Sequence, residues 1–282
     1  LPDDDYSYWF LLCFLRQSSF ITVDNIKPFI PYITNGLIQG RSPGVITHSL
    51  LCCYHILTLK DGIPNLLDTS IIMRAFLLCG DVTQSIQDAS FKVLKALTCS
   101  KDFPDILQYF KASNVFPRFG CILEDSNSAL RTKQDILSII TNLAVTNNSF
   151  IDSLVANNMY AIAVELIVNN SNNTLTARCF EFIFDSIFTH YGVVVDNLIQ
   201  QPMFISIYKH VPWYDSQLAY MALKSAEELL YWYDNSSMYS IKDQFYEIGF
   251  DKKLDELMNS SYEEVADEAM SLISRFFDQS EI

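Results

Sequence analysis

The stretch "DQFYEIGFDKKLDELMNSSYEEVADEAMSLISRFF", residues 243–277, decides the fold. It reads as a short helical piece, a glycine, a second short amphipathic piece, the polar break "NSS", and then one longer amphipathic run. Gly249 accepts the left-handed backbone that a helix stop requires. Ser or Asn in the second break can cap the helix that follows. Three helices of rising length, interrupted at set places, make one repeat unit.

Working outward, a long helix like the last one recurs along the whole chain. The long helices centre on Trp9, Leu51, Lys92, Ser138, Glu181, Lys224 and Met270, at intervals of 42, 41, 46, 43, 43 and 46 residues. That period belongs to armadillo or HEAT arrays. One place before each centre stand Tyr8, Leu50, Phe91, Leu137, Phe180, Leu223 and Ala269. Two places after stand Leu11, Cys53, Leu94, Ile140, Ile183, Ala226 and Leu272. Six places after stand Leu15, Leu57, Thr98, Ala144, Ile187, Leu230 and Phe276. Steps of three and four trace one stripe along a helix, so these columns predict the core between repeats.

Shorter helices are expected at 29–38, 71–79, 115–123, 159–168, 202–210 and 250–258. Still shorter ones, such as "PDILQYF" and "SFIDSLVA", precede them. Asn114, Asn158 and Gly249 separate the first two helices of their repeats. Three helices per repeat is the armadillo plan, where HEAT repeats have two. The expected fold is all-α: a right-handed armadillo superhelix with about six three-helix repeats plus a leading helix. It forms a single domain over residues 1–282, read as the C-terminal part of a longer chain because "LPDDDYSYWFLLCFL" opens like the middle of a repeat.

Composition agrees and excludes several classes. Half the residues are apolar and 13% aromatic, enough for a large core. Only 8 Gly and 9 Pro are present, few for an all-β chain rich in turns. A formal charge of −14 argues against nucleic acid and suits a basic partner. The seven cysteines show no C-x-x-C spacing and read as buried reduced thiols. The N-x-S/T triplets at Asn147, Asn169 and Asn172 read as plain loop residues. No apolar run has the length of a membrane span. His48, His55, His190 and His210 are dispersed without metal spacing, and no Gly-rich phosphate loop occurs. Cys52, Cys53 and His55 share a helix but point in different directions, with no orienting acid. The expectation is no catalytic residue, no metal and no cofactor.

The centre column is mixed: Trp9, Leu51, Lys92, Ser138, Glu181, Lys224 and Met270. Four residues later come Cys13, His55, Ala96, Asn142, Asp185, Glu228 and Ser274. Both columns lie off the buried stripe, one turn apart. A solenoid stacks them into a ladder on one surface, and a ligand would be read there.

The terminal repeat, "YEIGFDKKLDELMNSSYEEVADEAMSLISRFF", resembles the last armadillo repeat of the importin-α family, adaptors that carry proteins bearing nuclear localisation signals. "NLIQQPMFISIY" (197–208), the stretch 135–167 and "YWFLLCFL" (8–15) are similar to other parts of that family's array, roughly its C-terminal two-thirds. The resemblance implies a nuclear import adaptor that binds basic localisation-signal peptides and works in cytoplasm and nucleus. It also implies importin-β, an export receptor and nucleoporins as partners, with neither nucleic acid nor membrane. The basic segment through which the family recruits importin-β has no counterpart in these 282 residues.

In that family, Trp rings form slots for Lys and Arg stems, Asn side chains clamp the peptide backbone, and nearby acids take the charges. Carried onto this sequence, the peptide-binding residues are Trp9, Asp135, Ser138, Asn142, Glu181, Asp185 and Glu228. The ladder departs from the family: only Trp9 keeps the Trp and only Asn142 the Asn. Asp135 matches a family Glu, whereas the next repeat has Arg178 there, a reversal of sign. Trp9 is a slot wall or an ordinary packed aromatic. Asn142 is a backbone clamp or a solvated amide. Glu181, Asp185 and Glu228 form an acidic patch or a solvated face. Trp232, in "YWYD", reads as core or loop packing. The alternative function is an armadillo scaffold for protein–protein interaction that no longer reads such signals.

Overall fold

The computed structural model describes residues 4–17, 21–58, 69–99, 106–146, 149–170, 172–189, 191–233 and 241–277. These are helical, with no strand among the described residues. The "DQSEI" tail, His190, Asn147 and the short helix expected before the one at 71–79 lie outside them.

The chain divides into two compact units, residues 1–142 and 143–282. The first begins with α1 (Asp5–Leu15), then α2 (Val23–Ile26) and a 3-10 turn (Lys27–Phe29). It continues with α3 (Ile30–Gly36), α4 (Pro43–Thr58), α5 (Thr69–Leu78), α6 (Gln84–Cys99), α7 (Ile106–Ser113) and α8 (Phe116–Glu124). The division falls within α9 (Leu130–Thr146). The second unit holds α10 (Ser149–Ala156), α11 (Met159–Asn169), α12 (Asn173–Thr189), α13 (Tyr191–Leu198) and a 3-10 helix (Ile205–His210). After it come α14 (Ser216–Tyr233), α15 (Ile241–Glu247), α16 (Phe250–Leu257) and α17 (Glu263–Leu272), the last running on into a π-helical turn (Ile273–Phe277). Every long, middle and short helix expected within the described residues is present, although the middle helix at 202–210 is 3-10 over Ile205–His210.

The breaks behave as their residues dictate. Asn114, Asn158 and Gly249 have φ of 46°, 57° and 74°. Asn158 and Gly249 stand at the N-caps of α11 and α16. The "NSS" break departs from expectation. The cap of α17 is Tyr262, without a side-chain cap bond, and Ser260 Oγ instead accepts from the Tyr262 N–H at 3.2 Å. Glu263 and Glu264 fill the first turn, where carboxylates meet the positive end of the helix dipole.

The stripe is the core. The columns one before and two after each centre are buried in all seven long helices. The column six after is buried in six of them and fails at the last, where Phe276 is half-exposed and Phe277 is buried. The π turn explains this. One added residue in the turn moves the next side chain into the place its neighbour would hold.

Aromatic packing closes each unit. In the first, Phe76 and Phe110 meet edge to face at 4.7 Å, and Tyr8 stacks on Tyr32 at 4.2 Å. Gly36 lets α3 approach closely, since a Cβ there would lie 2.0 Å from Ser49 Oγ and 2.4 Å from the Tyr8 ring. In the second, Tyr208, Phe245, Phe250 and Phe277 form one cluster. The Tyr208 hydroxyl meets Ser225 Oγ at 2.7 Å, and Ser225 gives its own proton to the Ala222 carbonyl, so Tyr208 is the donor of the pair.

None of the seven cysteines is in a disulfide. Cys52, Cys53, Cys79 and Cys179 are buried as expected, whereas Cys99, the last residue of its helix, and Cys121 are exposed. Burial pushes the Cys53 thiol up to about 12 and raises Cys52 as well, so neither is a thiolate at neutral pH.

Candidate functional site

Most ladder positions are half-buried; Trp9, Met270 and Ser274 are exposed and Ala96 is buried. In the first unit Trp9 is 53% exposed. It is therefore not a packed core aromatic. Ser138 turns its hydroxyl back to the Gln134 carbonyl of its own helix at 2.9 Å.

Asn142 and Asp135 face the preceding long helix. Asn142 Nδ2 donates to Thr98 Oγ1 at 3.0 Å and to Cys99 Sγ at 3.2 Å. Both hydrogens of the amide are therefore engaged within the fold. Asp135 accepts from Lys95 Nζ at 3.2 Å. The two side chains that the resemblance assigns to a peptide instead tie α9 to α6.

In the second unit, Glu181 and Asp185 lie one turn apart on α12. Arg178 pairs with Glu181 at 2.5 Å on the same helix. Burial, and after it the charge of Glu181, raises the Asp185 carboxyl above its ordinary 3.8. A cation placed beside Asp185 would relieve both effects.

Glu228 belongs to a different grouping. It accepts from Trp232 Nε1 at 3.0 Å, one turn along α14. Together with Glu227, Tyr231, Trp232 and Arg275 it lines a cavity of about 260 Å³. Trp232 is 58% exposed and meets Tyr231 edge to face. This removes core packing from the two readings of Trp232, core or loop packing: the ring is exposed, a turn beyond Glu228.

Lys224, at a Trp position of the ladder, reaches Glu227 at 2.9 Å and Glu268 at 2.6 Å. Arg275 pairs with Glu227 from the π turn. Burial opposes the Lys224 charge, but hydrogen bonds to Glu268 and Glu227 outweigh it and raise its pKa. Lys95, Glu227, Glu268 and Arg275 were not singled out from sequence. Their signal was available: they occupy sites on facing sides of successive long helices, about forty to fifty residues apart. No group of His, Cys, Asp and Glu could hold a metal among the described residues.

The chain superposes on computationally designed armadillo-repeat proteins for modular peptide recognition with a TM-score of 0.73, at 14% identity, over 88% of this chain and 99% of that one. A designed armadillo-repeat protein in complex with the peptide (KR)4 gives a TM-score of 0.70 at 15% identity, over 88% and 99%. A further designed armadillo-repeat protein gives 0.69 at 14%, over 87% and 98%. The fold is an armadillo-repeat fold. No protein-family description and no curated protein matches the sequence. The repeat count, the three-helix unit and the buried stripe read from the sequence agree with that fold.

Proposed function

We propose that this chain is a non-catalytic armadillo scaffold for protein–protein interaction. It takes a basic peptide segment weakly, on the acidic ladder residues of its second unit. Asp185 carries the reading. It lies one turn from Glu181, burial and then the charge of Glu181 raise its carboxyl, and the intrahelical Arg178 pairs with Glu181. A Lys or Arg side chain from a partner supplies the missing cation. The designed protein that binds (KR)4 on the same fold supports this choice of ligand chemistry. Two of the four residues to which the resemblance gives a peptide role in the first unit, Asn142 and Asp135, bond within the fold, so strict reading of localisation signals does not follow. Trp9 and Ser138 add one aromatic face and no amide clamp.

A second reading, the import adaptor of importin-α type in cytoplasm and nucleus, draws on the last repeat. There the short helix, the left-handed Gly249, α16, the acidic first turn and α17 keep the order of the resemblance. It would bring importin-β, an export receptor and nucleoporins as partners.

Calorimetric titration with a Lys/Arg octapeptide tests the scaffold reading. Binding by the wild type that falls several-fold in Asp185→Asn supports it. No heat with the wild type, or affinity unchanged in Asp185→Asn, rejects it. Tight binding lost in Trp9→Ala and Ser138→Leu would favour the adaptor.

A further inference from the structure

The first unit holds a cavity away from the ladder. It opens where the ends of α3 and α5 meet the starts of α4 and α6, and encloses about 520 Å³. Ligand-binding clefts span about 300–1,000 Å³. Ile46, Leu78 and Ile86 line it and are buried, which makes its floor apolar. Two further lining residues extend that apolar surface to solvent: Leu77 is 57% exposed and Val82 fully exposed. Single exposed apolar residues are ordinary, but a pair beside an apolar hollow marks a place where another chain can settle.

The charge here runs against that of the chain. In a protein of net charge −14, the lining has two arginines, Arg41 and Arg74, and one acid, Asp81. A third arginine adjoins it, since a Cβ on the lining residue Gly80 would lie 2.6 Å from Arg118 Cζ. Arg118 is tied there by Nη1, which donates to the Phe76 and Leu77 carbonyls at 3.4 Å. The acids nearby are engaged: Asp81 accepts from the Thr83 N–H at 2.8 Å, and Asp5 from Ser42 Oγ at 2.7 Å. Arg74 is half-buried, and its Nε donates to the Leu37 carbonyl at the end of α3, at 2.9 Å. Among the described residues its two Nη groups have no acceptor and its charge no ion-pair partner. A guanidinium anchored in this way keeps a pair of donors in a fixed fork, the geometry that takes a carboxylate through two parallel bonds.

We propose that this cavity docks an acidic segment of a partner protein, one in which a Glu or Asp stands next to an aliphatic residue. The carboxylate meets the Arg74 fork, and the aliphatic side chain settles on Leu77, Val82 and the buried floor. Charge complementarity selects this occupant: the cavity is locally positive in a negative chain, and its apolar floor would stay uncovered under a bare inorganic anion. The surface lies in the first unit and takes the sign opposite to the ladder of the second, so it does not rest on the Asp185 reading.

Fluorescence anisotropy in 0.15 M salt tests this, because a Debye length of about 8 Å leaves the local arginines to outweigh distant acids. The probe is a labelled octapeptide of alternating Glu and Leu, with Gln/Leu and Glu/Ser peptides as controls. The Glu/Leu peptide is expected to bind, and each control to bind at least tenfold more weakly. Arg74→Gln should lose tenfold, and Arg74→Lys, which keeps the charge without the fork, several-fold. Should Arg74→Gln fail to fold, Val82→Asp decides, since that side chain is fully exposed; it too should lose several-fold. Asp185→Asn should leave this binding unchanged, which keeps failure here distinct from failure of the ladder reading. No binding by the wild type, equal binding of the Gln/Leu peptide, or unaltered affinity in Val82→Asp and a folded Arg74→Gln overturns the proposal. So does inorganic phosphate bound as tightly as the peptide, or a preference for phosphatidylserine vesicles over it.

Discussion

Asn142 on α9 hands a hydrogen of its amide to Thr98 Oγ1 on α6, 3.0 Å away, and the second to Cys99 Sγ. The bond joins two successive long helices at a place where the ladder would otherwise offer an amide to a peptide. Asn142→Ala should therefore act on stability. A part-buried neutral hydrogen bond contributes about 0.5–1.5 kcal/mol, and thermal unfolding should register a loss of that size. Affinity for a Lys/Arg peptide should change less than twofold. A tenfold loss of affinity at unchanged stability would show that the amide leaves Thr98 to clamp the ligand.

Gly249 and Asn158 do the same task with different chemistry. Both hold a left-handed backbone between two helices, at φ of 74° and 57°. A Cβ on Gly249 would meet nothing within 4 Å, so Gly249→Ala isolates the backbone cost, about 1–2 kcal/mol. Asn158→Gly should be neutral or mildly stabilising, since glycine enters that region without penalty. Urea midpoints check both. An alanine at 249 that costs nothing would mean that α15 and α16 can join by another turn.

The long helices were legible because their chemistry is periodic: seven stripes repeat at nearly one spacing, and burial follows them. The last column failed at Phe276 because a π turn leaves no mark in a hydrophobic pattern. The 3-10 helix at Ile205–His210 was placed correctly but not typed, since both helix types bury residues on one side. The site was less legible. A polar residue on a ladder column can face a ligand or a neighbouring helix, and only the cross-helix distances separate the two. Lys95 captures Asp135 across 40 positions of sequence, a relation that a single-helix reading does not contain. Core packing fails for Trp232, next to last in α14, because its ring is exposed there.

Lys224 sets up a pH dependence at the α14–α17 seam. Burial, against the pull of Lys224, raises Glu268 above its ordinary 4.5, and Glu227 adds to the shift. Burial also opposes the charge on Glu227, but Lys224 and then Arg275 prevail and hold it below 4.5. The signs are opposite. A raised carboxyl in the folded state contributes stability below pH 4.5 that is lost as pH rises through its folded value. A lowered one contributes above 4.5 and loses it as pH falls. Glu268→Gln keeps the shape and removes the first dependence. Its stability should decline less than the wild type's as pH rises above 4.5, and it should match or exceed the wild type at pH 7.5. A variant that is much weaker at neutral pH would show that the ion pair with Lys224 dominates over burial.

The last repeat should be indispensable. α17 packs on α14, whose Leu223, Ala226 and Leu230 are all fully buried. Each large apolar side chain returned to water costs about 1.5–3 kcal/mol, and repeats hold one another chiefly through such neighbour contacts. Deleting residues 243–282 should lower the melting temperature sharply or abolish solubility. An unchanged melting temperature would make the last repeat an independent appendage.

Peptide binding should be weak and salt-sensitive. Tight capture of successive Lys and Arg residues needs aromatic slots and amide clamps in consecutive repeats. Here the slot positions after Trp9 hold Leu51, Lys92, Ser138, Glu181 and Lys224, and Asn142 is engaged elsewhere. Each missing cation–π contact forgoes about 0.5–2 kcal/mol, and several together amount to orders of magnitude in affinity. What remains is the pull of Glu181 and Asp185 on a cation, which acts over a Debye length of about 10 Å at 0.1 M salt and about 3 Å at 1 M. Titration of a Lys/Arg octapeptide should give measurable binding at low salt and little at 0.5 M, with poor discrimination between Lys and Arg orders. Asp185→Asn should flatten that salt dependence. Affinity that survives 0.5 M salt would require a dehydrated aromatic contact, and Trp232 beside Glu228 is the place where it would form.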